Sequence, residues 1–496
     1  MKQILVDVGV SESRLALLED NNLVEFYIER KNNKKIVGNV YKGRVINVLP
    51  GMEAAFVDIG LEKNGFLHVK DAIPEFSESN NINYENIHIK DYIKQGQEII
   101  VQVIKDPIGS KGARLTTHIT LPGRFIVLMP TTDYIGVSRR IVSDTERDRL
   151  REEIEQIKPN NMGVIVRTVA EGKTKEDFND DIKFLLKLWQ KIEKEKLLGY
   201  APRRIYKEFD LISRNIRDKL TTEIDEFIIN DEDEFSQAQE LIELLSPSLK
   251  NRIKLYSDDM ELFENYTVES QLSKNLNRKI WLKSGGYIVI DSTEALTVID
   301  VNTGKYVGST NLSETILKTN IEAAQEIGKQ LRLRDIGGII IIDFIDMIKI
   351  KDGEVVLSEL EKVLLKDPTK TKILGLTQLG LVELTRKKVR ERLESALKKD
   401  CICCEGTGKV LCEYVGIQKI EKELVRLKTH TNAEAVIFEV HTDTLKLINK
   451  DTHILSDIEN KTKIKSFFLI NDKLRLDEFK VKLIGRYEFI KKELSK

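Results

Sequence analysis

Cysteine is scarce in this sequence and is confined to one short stretch. All four cysteines lie between residues 401 and 412, and the rest of the chain has none. This distribution excludes a disulfide framework, which needs cysteines spread over the fold. Histidine is also rare, and none of the six lies between residues 119 and 429. A catalytic site in that region has no imidazole base and no thiol nucleophile, so water activated by a carboxylate-bound metal is the simplest chemistry left.

Long apolar runs are absent as well. No segment approaches the ~20 apolar residues that cross a bilayer, and the N-terminus lacks the apolar core and cleavage site of a secretory signal. We therefore expect a cytoplasmic protein without a membrane span. The formal net charge is -1, so any basic face for nucleic acid has to be local. A chain of 496 residues exceeds what one core organises, which predicts several subdomains.

Residues 286–347 carry the clearest signal for chemistry. One apolar, β-branched segment contains Asp300 followed by Asn302, and a second ends with four isoleucines and then Asp343. Because alternate side chains of a strand share a face, Asp300 and Asn302 point to the same side. The residues between these segments, 312–333, have the pattern of an amphipathic helix that brings the two strand ends together.

Two interpretations of these acids differ in their consequences. Asp at a strand end often only caps a turn or a helix. Two carboxylates at neighbouring strand ends instead form an all-oxygen pocket that suits Mg²⁺ or Mn²⁺. The run of isoleucines predicts a strand buried on both faces, where a carboxylate is costly unless a cation or partner compensates it. This expectation favours the metal site at Asp300 and Asp343.

Residues 36–118 read as a small all-β module. Phe56 and Phe66 are expected on neighbouring strands, where they form a stacking platform of the single-strand-binding OB type. The alternative is that both rings belong to the module's core. A basic rim is expected around them, formed by Lys42, Arg44, Lys63, Lys70, Lys105 and Lys111.

Two further basic segments are ambiguous. Arg139, Arg140, Arg167 and Thr168 could gather donors around a phosphate, although arginine pairs are usually solvated. Residues 380–399 are predicted to form a long basic helix that grips a phosphate backbone, or that simply pairs with its own acids.

The cysteine stretch has the spacing of half a zinc knuckle. Cys401 and Cys404 form a Cys-x-x-Cys pair that precedes a Gly-x-Gly turn. A structural zinc needs four ligands, so either Cys403 or Cys412 completes a site within the chain, or two chains each lend Cys401 and Cys404.

Taken together, these motifs resemble the bacterial ribonuclease E/G family, and the chain is most similar to its short G type. The resemblance extends from residue 1 to about 415. Its most specific marks are STEALTVIDVN, NIEAAQEIGKQLRLRDIGGIIIIDFIDM and Cys-x-x-Cys-x-Gly-Thr-Gly.

The resemblance implies an endoribonuclease that hydrolyses single-stranded, AU-rich RNA with a Mg²⁺-activated water, prefers 5′-monophosphorylated substrates, and acts in rRNA and tRNA processing and mRNA decay. It implies a homodimer linked by zinc, with a tetramer as the alternative assembly. The residue roles it implies are Mg²⁺ binding by Asp300 and Asp343 with Asn302 orienting the site, RNA binding by Phe56, Phe66 and Lys111, 5′-phosphate binding by Gly123, Val127, Arg139, Arg167 and Thr168, and shared zinc ligation by Cys401 and Cys404.

The implied fold is multidomain α/β and α+β. It divides into residues 1–35 and 213–278, an RNase H-like subdomain in two parts; 36–118, an OB-fold RNA-binding module; 119–212, a 5′-monophosphate sensor; 279–399, a DNase I-like catalytic subdomain; 400–414, a zinc-link; and 415–496, a small C-terminal domain. The competing function is that of a non-catalytic RNA-binding or RNA-chaperone protein, which has no use for paired strand-end acids. A zinc hydrolase is excluded by ligand type, because the knuckle offers no open coordination position.

Overall fold

The computed structural model describes residues 1–32, 35–72, 88–107, 111–304, 312–347, 349–450 and 452–495. The chain divides into two compact units, Met1–Ala396 and Leu397–Lys496. Among the described residues, every helix is too short or too polar to cross a bilayer.

The strands of the described residues are, in chain order, β1 (Lys2–Val8), β2 (Glu12–Glu19), β3 (Asn22–Arg30), β4 (Val40–Leu49), β5 (Ala54–Asp58), β6 (Gly65–His68), β7 (Glu98–Lys105), β8 (Arg114–Thr116), β9 (Leu121–Pro122), β10 (Ile126–Met129), β11 (Ile135–Val137), β12 (Gly163–Val166), β13 (Arg203–Tyr206), β14 (Glu226–Ile229), β15 (Ile253–Leu255), β16 (Lys279–Trp281), β17 (Tyr287–Ser292), β18 (Leu296–Asn302), β19 (Gly338–Asp343), β20 (Thr371–Leu376), β21 (Val382–Arg386), β22 (Ala435–Val440), β23 (Lys465–Ile470) and β24 (Phe479–Gly485).

The α-helices are α1 (Val69–Ala72), α2 (Ile89–Tyr92), α3 (Asp144–Ile157), α4 (Lys175–Leu197), α5 (Leu211–Lys219), α6 (Glu232–Leu245), α7 (Leu262–Asn265), α8 (Val268–Asn275), α9 (Leu312–Leu333), α10 (Ile350–Leu364), α11 (Leu393–Leu397), α12 (Glu413–His430), α13 (Thr442–Lys450), α14 (Thr452–Thr462) and α15 (Tyr487–Leu494). Short 3-10 helices cover Pro50–Met52, Thr168–Ala170 and Pro247–Arg252.

The N-terminal meander does not form a sheet alone. Strand β1 pairs in parallel with β14, and the five strands follow the order β15-β14-β1-β2-β3. Apolar side chains from α5 and α6 cover one face, and those of α7 and α8 cover the other. The first three strands carry apolar side chains on both faces, and the helices that cover these faces come from residues after the two intervening modules.

Strands β4 to β8 form a closed barrel. Strands β4, β5, β6, β8 and β7 pair in that order, and β7 pairs back to β4. Closure leaves no free edge, and the barrel interior is filled by alternate side chains such as Val57, Leu67 and Val101. Strand β13 adds to the outside of β4.

The next module is a four-stranded sheet with the order β11-β12-β10-β9. Its buried face carries Ile126, Leu128, Val164 and Val166, which pack against α3 and α4. The opposite face is only half-buried, at Val127 and Ile165 for example.

The last sheet of the first unit has six strands in the order β16-β17-β18-β19-β21-β20. The helix α9 is the crossover between the parallel strands β18 and β19, as the sequence predicted. Helices α9 and α10 pack on one face, where Ile299, Ile340 and Ile342 are buried.

The second unit is an independent α/β layer. Its three strands have the order β23-β22-β24. Helices α12, α13 and α14 contribute to one core cluster, and α15 contributes to a second.

Two expectations about the sheet formed by β16 to β21 are wrong. Strand β19 is not buried on both faces, since Ile339 is 51% exposed and Ile341 is half-buried. Residues 380–399 do not form one long helix, because β21 occupies part of them and only Leu393–Leu397 is helical. Val382, Leu384 and Arg386 are all buried, and burial of every second residue is typical of a strand. The run of basic residues obscured this pattern in the sequence.

Candidate active site and RNA-binding surfaces

The two predicted catalytic aspartates lie side by side. Asp300 on β18 and Asp343 on β19 are direct partners in the parallel register, so both side chains project from the same face of the sheet. Both are exposed. The face is the one that α9 and α10 leave open, and the carboxylates therefore do not carry the burial cost that the sequence suggested.

Asn302 lies on the same face and contacts one of the acids. Its Nδ2 donates to Oδ2 of Asp300 at 2.7 Å. The carboxylate of Asp300 is thereby oriented by a neighbour two residues along the strand, while its other oxygen makes no hydrogen bond within the described residues.

The donor set suits a hard divalent cation. Asp300 and Asp343 contribute two carboxylates, and no third His, Cys, Asp or Glu joins them among the residues with described positions. Mg²⁺ is commonly bound through one or two carboxylates, with waters and substrate phosphate filling its remaining positions. The residues present therefore fit Mg²⁺ and leave room for a phosphodiester.

A residue that the sequence analysis missed positions the second strand end. Asn320, fully buried on α9, donates to the carbonyl of Ile345 at 2.8 Å and accepts from its N–H at 3.1 Å. Ile345 follows Asp343 by two residues, so this amide fixes the backbone just beyond the acid. A buried asparagine within an otherwise apolar helix face was the available signal.

Phe56 and Phe66 are brought together on the barrel surface. They are direct register partners on β5 and β6, with ring centroids 6.0 Å apart at an interplanar angle of 66°. Both are half-buried and neither belongs to the barrel's core cluster. The alternative that they are core residues is therefore wrong, and the pair presents a partly exposed aromatic surface.

Lys111 lies shortly before β8, the strand that pairs with β6 and thus with the strand of Phe66. Its side chain is exposed, and the carbonyl of the nearby Ala113 accepts from the N–H of Phe66 at 2.7 Å. The predicted basic rim is weaker on the β4 side. Lys42 and Arg44 both pair with Glu98, at 3.0 and 3.2 Å, so much of their charge is neutralised.

The predicted phosphate pocket lies around the turn between β9 and β10. Arg167 donates from Nη1 to the carbonyl of Gly123 at 2.6 Å, and Thr168 Oγ1 is 2.8 Å from Ser138 Oγ. Val127 pairs with Ile165 on the half-buried face of the same sheet. Arg139 follows Ser138 and is exposed. All five predicted residues therefore lie in or next to the strands of this one sheet.

Asp181, which the sequence did not single out, stabilises this turn. The buried carboxylate of Asp181 on α4 accepts from the N–H groups of Arg124, Phe125 and Ile126 at 2.8–3.0 Å. Burial raises the pKa of Asp181 and these hydrogen bonds oppose the rise. A Cβ at Gly123 would lie 2.5 Å from the Asp181 carboxylate, which explains why glycine is required there.

The three arginines of 386–392 make structural contacts, whereas Lys387 and Lys388 are exposed. Arg386 is buried and donates to Asp367 and Asp335 at 2.7 Å each. Arg390 pairs with Asp335 at 2.7 Å, and Arg392 donates to Thr297 at 3.0 Å. The predicted phosphate-gripping helix is therefore wrong in its secondary structure, and its three arginines are engaged within the protein.

The cysteine stretch forms a turn in the second unit. The carbonyl of Cys401 accepts from Glu405 N at 2.7 Å, and that of Cys404 accepts from Thr407 N at 2.9 Å. Gly406 has a φ of +85°, a conformation that glycine adopts without strain. Backbone N–H groups of Cys404 and Cys403 lower the pKa of the Cys401 thiol, which favours the thiolate form that binds metals.

Only Cys404 of the four cysteines is half-buried, and the other three are exposed. Within the described part of the chain, no three Cys, His, Asp or Glu side chains are arranged to hold a metal ion. A site completed within the chain by Cys403 or Cys412 is therefore not formed in this structure.

Comparison with known proteins identifies the family that this chain matches. Residues 120–389 match the model of the Ribonuclease E/G family, and residues 34–106, which include most of the barrel, match the S1 RNA binding domain. The chain is 41% identical to Ribonuclease G of Salmonella typhimurium over 461 residues, which cover 92% of this chain and 94% of that protein. It is 42% identical to Ribonuclease G of Haemophilus influenzae, over 92% of this chain and 94% of the relative.

A longer relative is Ribonuclease E of Haemophilus influenzae. It is 37% identical over 488 residues, which cover 97% of this chain but 52% of that protein. The family model and the two Ribonuclease G relatives each span most of the residues that surround Asp300 and Asp343. The chain belongs to the Ribonuclease E/G family.

Proposed function

We propose that Asp300 and Asp343 bind the Mg²⁺ ion with which this chain hydrolyses single-stranded RNA. As a member of its family the chain is an endoribonuclease that acts in RNA processing. The observation that carries the metal assignment is the direct register pairing of the two acids on one open face. A bound Mg²⁺ supplies a water of lowered pKa and neutralises charge on the phosphate.

The chain's own residues have separate tasks at this site. Asp300 and Asp343 would hold the ion through their carboxylates on the open sheet face. Asn302 keeps Asp300 in one orientation through its 2.7 Å hydrogen bond. Asn320 fixes the backbone after Asp343. With both acids exposed, a phosphodiester has direct access, and an RNA without secondary structure can lie across the face.

Two surfaces bind parts of the RNA that are distant from the scissile bond. Phe56 and Phe66 stack on bases, which explains why two rings remain half-exposed on a barrel surface. Lys111 binds backbone phosphate. Phenylalanine rings have no hydrogen-bond donors with which to distinguish one base from another. The preference for AU-rich strands therefore follows from the weak secondary structure of such strands.

The 5′ end of the substrate binds at the third module. Arg167 and Thr168 donate to a terminal phosphate, the turn at Gly123 and the face at Val127 shape the pocket, and Arg139 adds charge. The pocket gives a preference for 5′-monophosphorylated RNA. Substrates of this type are the processed precursors of rRNA and tRNA and decaying mRNA.

Assembly and domain identities complete the proposal. Cys401 and Cys404 of two protomers share a zinc ion in a homodimer, with a tetramer as the further alternative. The two-part sheet of 1–35 and 213–278 is RNase H-like, 119–212 is the sensor, and 279–399 is DNase I-like. The segments 400–414 and 415–496 are the zinc-link and a small C-terminal domain. The cytoplasm, where RNA is processed, is the proposed location.

The test compares aspartate variants on one sheet face. Asp300→Asn and Asp343→Asn should each lower kcat for a short single-stranded RNA in Mg²⁺ by at least ~1000-fold, since the metal contributes several kcal/mol to the transition state. RNA affinity should stay within about twofold, because binding is carried elsewhere. Asp291→Asn is the control, since Asp291 shares this face but pairs with Arg278. Undiminished cleavage by Asp300→Asn would refute the assignment.

A further inference from the structure

An aromatic pair lies at the edge of the catalytic sheet. Trp281 on β16 and Tyr287 on β17 are register partners, with ring centroids 5.3 Å apart at 63°. Trp281 is 58% exposed. Tryptophan is on average highly buried, and its exposure here leaves a large apolar surface uncovered on the edge strand.

The register connects this pair to the active site. Tyr287 is in turn the partner of Asn302, so Trp281, Tyr287 and Asn302 form one row across three strands. Direct partners share a face, which puts both rings on the side of Asp300 and Asp343. With strands ~4.8 Å apart, Trp281 begins about 10 Å from Asn302 along the row. A nucleotide adjacent to the scissile phosphate can reach that distance.

A cation accompanies the rings. The ammonium of Lys279 lies 3.5 Å from the ring centroid of Tyr287 and 4.2 Å from that of Trp281. Its neighbour Arg278 is neutralised by Asp291 at 2.5 Å, whereas Lys279 makes no ion pair within the described residues. Rings that stack on a base, and an ammonium without a carboxylate partner among the described residues that can contact phosphate, are the two components of single-strand recognition.

We propose that Trp281 and Tyr287 form a second stacking platform, which holds an RNA base next to the cleaved bond while Lys279 contacts its phosphate. The inference rests on the proposed function, because it requires the scissile phosphate at Asp300 and Asp343. RNA is the occupant that fits, since the platform is continuous with the catalytic row and carries positive charge. It is separate from the barrel platform of Phe56 and Phe66, which lies in another module.

The fluorescence of Trp281 can be used to measure RNA binding at this aromatic pair. The chain has two tryptophans, and the other, Trp189, is half-buried on α4 in the sensor module. In an Asp300→Asn chain that also carries Trp189→Phe, all tryptophan emission comes from Trp281. Titration with oligouridylate that has a 5′-hydroxyl end should quench this emission in step with binding, measured independently by electrophoretic mobility. The 5′-hydroxyl end excludes a contribution from the phosphate pocket.

Kinetics with Asp300 intact give the second readout. Trp281→Leu keeps an apolar side chain but removes stacking, and it should raise KM for single-stranded RNA about fivefold or more, the lower limit for one base–aromatic stack. Trp281→Phe should restore most of the affinity, and kcat should change little in either variant. A Lys187→Leu variant on the exposed surface of α4 is the control for loss of a surface residue.

Three outcomes would overturn the platform. RNA that binds without changing Trp281 emission would refute it while leaving the proposed ribonuclease site intact. Emission that responds to protein concentration and not to RNA would assign the rings to a contact between copies of the chain. Failure of the oligouridylate to bind at all, together with absence of Mg²⁺-dependent cleavage by the unaltered chain, would refute both the platform and the proposed function.

Discussion

Arg167 donates from Nη1 to Oδ1 of Asp218 at 2.7 Å. The two residues belong to different modules, since Asp218 lies on α5 beneath the first sheet. Asp218 also accepts from Arg217 at 3.1 and 3.0 Å. Burial raises the pKa of Asp218, but the hydrogen bonds and charges of Arg217 and Arg167 outweigh it and lower the pKa below its ordinary value. Asp218 is therefore a charged anchor for the arginine proposed to bind the 5′ phosphate.

The first prediction follows from this anchor. Asp218→Ala should reduce the ratio of cleavage rates on 5′-monophosphate and 5′-hydroxyl RNA by about tenfold, since a hydrogen bond to a charged group contributes ~1.5–3 kcal/mol. Asp218→Asn should keep most of the ratio, because the amide oxygen still accepts from Arg167. Cleavage of the 5′-hydroxyl RNA is the internal control. An unchanged ratio in Asp218→Ala would contradict a positioning role.

The second prediction concerns the ion cluster next to Asp218. The buried carboxylate of Glu25 accepts from Lys219 on α5 and from Arg332 on α9, the latter at 2.8 Å. Glu25→Gln leaves the partly buried Lys219 without its carboxylate partner and leaves Arg332 with Glu19 alone, and it should lower the free energy of unfolding by ~3 kcal/mol. The urea midpoint at neutral pH measures this loss. Glu223→Gln, an exposed residue paired with Lys2, should have little effect.

The same cluster gives a pH dependence. Burial raises the pKa of Glu25, but the charges of Lys219 and Arg332 outweigh it and lower the pKa from 4.5 to about 2. A lowered folded-state pKa contributes stability that is complete above pH 4.5 and is lost as pH falls toward 2. The difference in urea midpoint between the unaltered chain and Glu25→Gln should therefore shrink across this window. A difference that stays constant from pH 5 to pH 2.5 would contradict the assignment.

The sequence was sufficient for the elements that depend on local pattern. The helix 312–333 was predicted at its observed bounds because its apolar positions recur with helical spacing. The proximity of Asp300 and Asp343 followed from one crossover between two strands. Four of the five barrel strands were also recognisable, since alternation and turn residues mark them, whereas the short strand β8 was not predicted.

What could not be predicted depended on partners distant in the chain. Whether Ile339 is covered depends on which sheet face receives α9 and α10, and four isoleucines in a row do not encode that choice. From the sequence alone, Arg386 is interpreted as a surface cation, and only the fold shows that Asp367 and Asp335 lie next to it. Asp218 belongs to a segment without a motif, and its role appears only when the fold brings Arg167 to it.

The third prediction concerns the barrel platform. Phe56→Ala and Phe66→Ala should each raise KM for single-stranded RNA by about tenfold, because one base–aromatic stack contributes ~1–3 kcal/mol. The unfolding midpoint should move little, since neither ring belongs to the barrel's core. Tyr92→Ala is the matched control, as Tyr92 is an exposed aromatic on the nearby helix α2. Equal effects of all three variants on KM would argue against a specific platform.

The fourth prediction concerns the cysteine turn. If two protomers share zinc through Cys401 and Cys404, a strong chelator should convert the homodimer to monomer, because each protomer supplies only two of the four ligands that structural zinc requires. Cys404→Ser should have the same effect without chelator, whereas Cys412→Ser, outside the Cys-x-x-Cys pair, should remain dimeric. Light scattering measures the mass, and metal analysis should give one zinc per two chains. A Cys404→Ser protein that stays dimeric would place the dimer contact elsewhere, and one zinc per chain would indicate a site completed within the protomer.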